Sequence, residues 1–211
     1  DNKPCTIGSV GRPIGGIEVK IGDDDEVLLK GPTITKGYYH RDAANKDAFT
    51  EDGFFRTGDA GYIKDGELFL TDRIKDLFKT SNGKYIAPQL VESLILVDKY
   101  IDQVAVIANE RKFVSALIVP EFRLVEDWAK EHGIEFSSRE DLCANPKVNK
   151  MILDRIKTLQ QQLAHYEQVK RITLIPHHFS MESGELTNTL KIRRPVVYKN
   201  YKNEIDKMYE E

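Results

Sequence analysis

The chain has 211 residues, 40% of them hydrophobic and 31% charged, with a net charge of −3. This is the balance of an ordinary globular protein, with room for one large domain or two modest ones. It excludes a polyanion binder, and no stretch approaches the roughly 18–20 apolar residues that a membrane span needs. Two cysteines, Cys5 and Cys143, give neither a disulfide framework nor a metal-ligand spacing, so a reducing cytosol is the expected compartment. The opening DNKPCTIGSVGRP has no apolar signal region and no initiator Met, which suggests a piece of a longer protein.

Charge is spread unevenly. Residues 1–71 hold 9 Lys/Arg against 13 Asp/Glu, a balance of −4, and the remainder holds 22 against 21. Lys191, Arg193, Arg194, Lys199 and Lys202 follow one another without a carboxylate between them. That run reads as a solvated basic face or as a surface that meets phosphate. It lacks the interleaved aromatic stacking of a nucleic-acid site, having only Tyr198 and Tyr201.

Residues 7–71 read as strand and turn. IEVKI (17–21) and EVLLK (26–30) are expected strands, with turn chemistry from Gly22 to Asp25. Asp42 is the expected cap of a short helix that Asp52-Gly53 stops. Gly61–Ile63 and Glu67–Thr71 read as a hairpin across Asp65-Gly66, a pair suited to positive φ. The pattern then changes. IKDLFK reads as a short strand, and Pro88 opens a helix with Glu92 placed for N-terminal electrostatics. QVAVIA (103–108) and FVSALIVP (113–120) read as two strands around a turn at 109–112. A helix follows, with Leu124, Val125, Trp128 and Ala129 as its stripe and Gly133 as its stop. Asn145-Pro146 caps the longest helix, with Val148, Ile152, Ile156, Leu159 and Leu163 on one side. VKRITLI (169–175) is another strand, and Pro195 to Glu211 reads as a final amphipathic helix. His165 and the pair His177-His178 are expected on the surface, without the further ligands that a metal needs.

The fold class is therefore α+β. A small β-rich segment, residues 1–71, precedes a compact α+β domain, residues 72–211. The boundary at Thr71–Lys75 is not Gly/Ser-rich, so it reads as a defined hinge rather than a floppy linker.

Three stretches carry chemistry: KGYYHRDAANKDAF running on to FRTGDAGY, then TDRIKDLFKTSNGKYIAPQLVE, then GELTNTLKIRR. In this order they resemble the adenylate-forming (ANL) superfamily, and within it the long-chain fatty-acid–CoA ligases. The resemblance covers essentially the whole chain. It implies that residues 1–71 are the end of the family's large domain and that residues 72–211 are its mobile C-terminal lid. The implied reaction joins a fatty acid to coenzyme A through an acyl-adenylate, consuming ATP and releasing AMP and pyrophosphate. Mg2+ is expected to bind mainly to the N-terminal part of such enzymes. No stretch here reads as that part's phosphate-gripping Ser/Thr/Gly-rich loop, so the chain alone is expected to be inactive.

The resemblance also assigns residues. Asp59, in TGDAG, corresponds to a carboxylate that can accept both hydroxyls of a ribose. On pattern alone it caps a turn. Arg73 offers a planar fork for ribose or phosphate oxygens, or pairs with Asp72 or Asp76. Lys75 corresponds to the hinge. Lys191 corresponds to the adenylation lysine, a mobile ammonium able to bridge the charge that gathers as a carboxylate attacks a phosphate. Asn188 stands where many relatives have Pro. Glu92 corresponds to a family acid, for which helix N-terminal electrostatics is the simpler account. Lys79, Ser81, Asn82, Gly83 and Lys84 correspond to the thioester-forming face, with Gly83 letting a pantetheine arm pass and the lysines meeting phosphates. The expected partners are fatty acid, ATP, CoA and the enzyme's own N-terminal domain, with no nucleic acid. The expected setting is cytoplasmic, with peripheral contact to the inner membrane face. Two alternatives stay open: a non-catalytic binding module of the same fold, and an adenylation domain that loads a carrier protein.

Overall fold

The computed structural model describes residues 5–210. The opening DNKP and the terminal Glu211 of the expected last helix lie outside them. Chain contacts divide the protein into a first unit ending at Leu77 and a second beginning at Phe78. The division thus falls a few residues beyond the expected change at residue 72.

The first unit is an antiparallel sheet of four strands in sequence order: β1 (Glu18–Ile21), β2 (Glu26–Lys30), β3 (Phe55–Lys64) and β4 (Glu67–Arg73). Asp24 and Asp25 turn the first hairpin with φ of 55° and 58°, a conformation that short polar side chains tolerate. Asp65 and Gly66 turn the third strand into the fourth with φ of 52° and 78°, the two positive values expected of such a turn. A bulge interrupts this hairpin. Gly61 pairs with Leu70 but Ala60 pairs with Asp72, so Thr71 is one residue too many on β4. Only glycine fits beside it, because a Cβ at Gly61 would collide with the Phe69 carbonyl oxygen. A seven-residue helix, α1 (Asp42–Ala48), interrupts the run from β2 to β3. Asp42 is its first residue and not its cap; Arg41 precedes it, and no side chain caps that end. The buried apolar residues described here are few: Val27, Leu28, Phe54 and Ala60.

A single 3-10 turn over Ile74–Asp76 follows β4. The expected IKDLFK strand is therefore shorter. It begins only at Phe78, because the Leu77 amide bonds back to Arg73 and Ile74.

The second unit opens with a two-stranded hairpin, β5 (Phe78–Lys79) and β6 (Tyr85–Ile86), and then α2 (Pro88–Ile95). Its main sheet has the order β7 (Ile101–Ile107), β8 (Val114–Pro120), β9 (Val169–Leu174). The first pair is antiparallel and the second parallel. Parallel strands need a long crossover, here made by α3 (Phe122–Glu131), α4 (Arg139–Ala144) and α5 (Pro146–Leu159). Every residue of the central strand β8 is buried, which explains its near-continuous apolar sequence. Its one hydroxyl, Ser115, meets the Tyr209 hydroxyl at 2.7 Å.

Pro88 and Pro146 sit at first helical positions as expected, and the Asn145 side chain accepts the Lys147 amide at 2.9 Å. Val148, Ile152 and Ile156 are fully buried, but Leu159 and Leu163 are only half-buried. The helix ends at Leu159. The buried side chain of Gln160 then exchanges two hydrogen bonds with the Val169 backbone, of 3.0 and 2.8 Å. The expected single terminal helix is two short ones, α6 (Arg194–Asn200) and α7 (Lys202–Lys207). Tyr201, at φ −109° and ψ 27°, breaks the run, and its ring is buried. No helix among the described residues is long and apolar enough to cross a membrane.

Candidate functional site

In the first unit the bulge at Thr71 brings two expected site residues together. Asp59 and Arg73 are direct cross-strand partners. The Arg73 Nε lies 3.8 Å from Asp59 Oδ1, with both side chains substantially exposed. The Arg73 guanidinium thus meets Asp59, while its backbone amide donates to Asp72 Oδ1 at 2.8 Å. An exposed pair of this kind is worth about 0–1 kcal/mol, so little holds either group away from a ligand. The backbone beneath them is better fixed. Thr57 Oγ1 donates to the Val27 carbonyl at 2.7 Å and accepts the Asp59 amide at 3.1 Å. Gly58 has φ 73°, and its amide reaches the Glu26 carboxylate at 3.2 Å. Lys75 is exposed on the 3-10 turn that closes this unit.

In the second unit, Lys79 to Lys84 forms a tight loop across β5 and β6. The Thr80 hydroxyl accepts the Lys84 amide at 3.1 Å, and Gly83, at φ 74°, donates its amide to the Thr80 carbonyl at 2.9 Å. The loop is tied to the 109–112 turn: Ser81 donates to the Arg111 carbonyl at 3.0 Å, and Glu110 to that of Lys79 at 2.8 Å. Lys79 and Lys84 are both exposed. Their ammonium groups sit over the rings of Tyr85 and Tyr166, at 5.4 and 5.5 Å.

Lys191 stands exposed at the tip of another hairpin. Leu186 bridges Ile192; the Thr187 amide donates to the Lys191 carbonyl at 2.8 Å; the Lys191 amide donates to Thr187 Oγ1 at 3.0 Å. Leu190 completes the turn with φ 58°, unusual for a bulky residue. Thr187 thus closes the loop that carries Asn188. At the root, Arg193 donates its amide to the Glu185 carbonyl at 2.7 Å. Glu185 is buried, and its carboxylate accepts Ser183 at 2.6 Å and Asn200 at 3.0 Å. Burial pushes its pKa up, but hydrogen bonds from Ser183, Asn200 and Tyr201 outweigh that and hold it below the usual value. Burial, helped by the Glu185 carboxylate, pushes the Tyr201 phenol up.

Glu92 is not an exposed helix-terminal charge. It lies in the middle of α2 and is buried, and both its oxygens take the Arg194 guanidinium, at 2.7 and 2.8 Å. The same carboxylate accepts the Val106 amide at 2.9 Å. Reading Glu92 from local sequence missed this, because its partner is 102 residues away. Trp128 is half-buried and stacks on His132 at 4.2 Å. His177 meets the Tyr201 hydroxyl at 2.9 Å, and His178 lies 3.4 Å from Asp102. Among the described residues no group of three or more His, Cys, Asp or Glu side chains is arranged to hold a metal ion.

Two units thus present exposed polar residues on backbones fixed by local hydrogen bonds: a carboxylate and a guanidinium on one, lysine-bearing loops on the other. Residues 75–211 match the C-terminal domain family of AMP-binding enzymes. The chain belongs to that family, within the adenylate-forming superfamily. It is similar to the long-chain-fatty-acid–CoA ligase FadD15 of Mycobacterium tuberculosis, 33% identical over 205 residues, which cover 96% of this chain and 34% of the relative. It is also similar to human long-chain-fatty-acid–CoA ligase 1, 35% identical over 219 residues, covering 97% and 31%. The chain thus spans about a third of the length of the curated relatives it matches. Among solved structures, it matches the adenylation domain of a carboxylate reductase from Mycobacterium chelonae with TM-score 0.65 and 24% identity, over 94% of this chain and 31% of that one. It matches O-succinylbenzoate coenzyme A synthetase from Bacillus subtilis, in complex with AMP, with TM-score 0.54 and 25% identity, over 90% and 35%. The α+β fold class is that of these adenylation enzymes.

Proposed function

We propose that the chain is the C-terminal portion of an AMP-forming long-chain fatty-acid–CoA ligase and that Lys191 is its adenylation lysine. In this reading Asp59 and Arg73 hold the ribose and phosphate side of the nucleotide, Lys75 is the pivot, and Lys79, Gly83 and Lys84 meet coenzyme A during thioester formation. The observation that carries the reading is the Lys191 hairpin. An exposed ammonium on a flexible stem rises from a backbone held at 187, 191 and 193. Such a group can stabilise charge that gathers on a carboxylate and an α-phosphate as the two combine, and it adds little reorganisation of its own. ATP, coenzyme A and a long-chain acid are the substrates; the nucleotide's metal is held elsewhere in the full-length enzyme. A cytoplasmic setting, with peripheral contact at the inner membrane face to collect its acid, belongs to the same reading. So does a role in fatty acid metabolism.

The test is pyrophosphate release by the full-length protein against a panel of carboxylic acids, with long-chain acids giving the fastest release. Lys191→Ala lowers that release by ~10²–10³, the usual cost of deleting one preorganised donor, and spares thioester formation from supplied acyl-adenylate. Release at wild-type speed from the variant overturns the assignment.

A further inference from the structure

We propose that Glu92 and Arg194 form a positioning clamp that holds the Lys191 hairpin, so that accurate delivery of the ammonium depends on a buried ion pair remote in sequence. The proposal rests on the reading of Lys191 given above.

A lysine side chain has four rotatable carbons and supplies little positional accuracy of its own. Accuracy must come from the backbone that carries it. Three peptide bonds after Lys191 the chain reaches Arg194, the first residue of α6. The Arg194 fork is spent on both oxygens of Glu92, and its plane lies 5.1 Å from the centre of the Phe78 ring. Side-chain exposure is 20% for Arg194 and 11% for Glu92, so solvent screens the pair little. Glu92 in turn receives the Val106 amide from β7, the edge strand of the main sheet. One carboxylate therefore joins the start of α6 to α2 and to the sheet. The other strand of the same hairpin is held by Glu185, which takes Asn200 from the far end of α6. Both roots of the hairpin are thus referred to a single helix, and that helix is referred to the core through Glu92. The tip, from Asn188 to Lys191, is exposed above this pedestal.

A buried ion pair can also exist for folding alone. The two roles separate by experiment in the full-length enzyme. Glu92→Gln keeps an acceptor for Val106 but removes the charge; Arg194→Lys keeps the charge but removes the fork. For a positioning pair, each variant slows acyl-adenylate formation by on the order of 10- to 100-fold, the scale of a displacement of about 1 Å. KM for ATP and for the acid hold, and thioester formation from supplied acyl-adenylate proceeds at the wild-type rate. In a Lys191→Ala background Glu92→Gln adds nothing further, because its effect passes through the missing ammonium. Equal losses in both half-reactions, or an undiminished effect in the Lys191→Ala background, overturn the clamp. So does normal adenylation by Glu92→Gln alongside a crippled Lys191→Ala. Normal adenylation by Lys191→Ala instead defeats the reading of Lys191, and the clamp's purpose with it. Should the variants fail to accumulate as folded protein, wild-type amide exchange decides. Slow exchange at Thr187, Leu190, Lys191 and Arg193 supports a held hairpin, and exchange at the rate of an open loop overturns it.

Discussion

The two units of the chain are stabilised in different ways. In the second, 33 buried apolar residues from Phe78 to Met208 form one continuous cluster around a strand that is buried throughout. In the first, the described residues bury only Val27, Leu28, Phe54 and Ala60, while Ile7, Val10, Ile14 and Tyr39 are more than half exposed. A sheet with one thinly covered face gains little from burial to set against the entropy of ordering it. The comparison teaches that burial is concentrated in the second unit, whereas the first rests mainly on strand pairing with little apolar burial behind it.

The largest expected effect follows directly. Residues 78–211 expressed alone unfold in one cooperative transition, while residues 1–77 alone show none; circular dichroism against urea checks both, and a sharp transition in the shorter piece would break the comparison. Matched core truncations come next. Leu117→Ala costs toward the upper end of the ~2–5 kcal/mol range and Leu28→Ala toward the lower end, because Leu117 lies in the large buried cluster and Leu28 does not. Chemical denaturation of each variant measures the difference. Below that lies Arg155→Met. Asp98 is buried, accepts the Arg155 Nε at 2.7 and 3.0 Å, and would be left without that donor, at a cost of ~1–3 kcal/mol.

The smallest effects are in pH, and they differ in direction between the units. In the first, Lys20 and then Thr50 hold Asp52 down to about 2, against 3.8 unperturbed. The folded state thus favours the ionised form. The stability this gives is present above pH 3.8 and is lost as pH falls toward 2, so Asp52→Asn flattens the acid limb of a stability–pH curve. In the second, burial and then the Glu140 charge push Cys143 up to about 12 from 9.0. Here the folded state favours the neutral thiol. Stability is full below pH 9 and is lost as pH rises toward 12, and Cys143→Ala flattens the alkaline limb.

Much of the fold was legible because its signals are local. Asp65-Gly66, Pro88, Asn145-Pro146 and Gly133 mark turns or helix ends where they stand, and β8 declares itself by its apolar run. Ser138 capping α4 through the Asp141 amide was an available signal that went unread. The site was less legible. A plain hairpin register continued from Lys64 opposite Glu67 would set Asp59 against Asp72; the extra Thr71 is what brings Arg73 to Asp59, and no pattern announces a bulge. Tyr201 ends α6 because its ring is needed in the core, a tertiary demand that overrides helical periodicity. Glu92 looked like a dipole charge because its Arg194 partner comes from the other end of the chain. Lys191 could be picked out by resemblance, but the Thr187 bonds that shape its loop could not.

The Val106 amide matters apart from the Lys191 hairpin. Because β7 borders the main sheet, its outward-facing N–H groups have no strand to bond among the described residues, and the Val106 amide is buried as well. Glu92 occupies one of them from within its own chain. The residue thus satisfies a buried main-chain donor at the border of the sheet, and apolar replacements at position 92 should leave that donor unpaired, at a cost of ~1–3 kcal/mol by chemical denaturation.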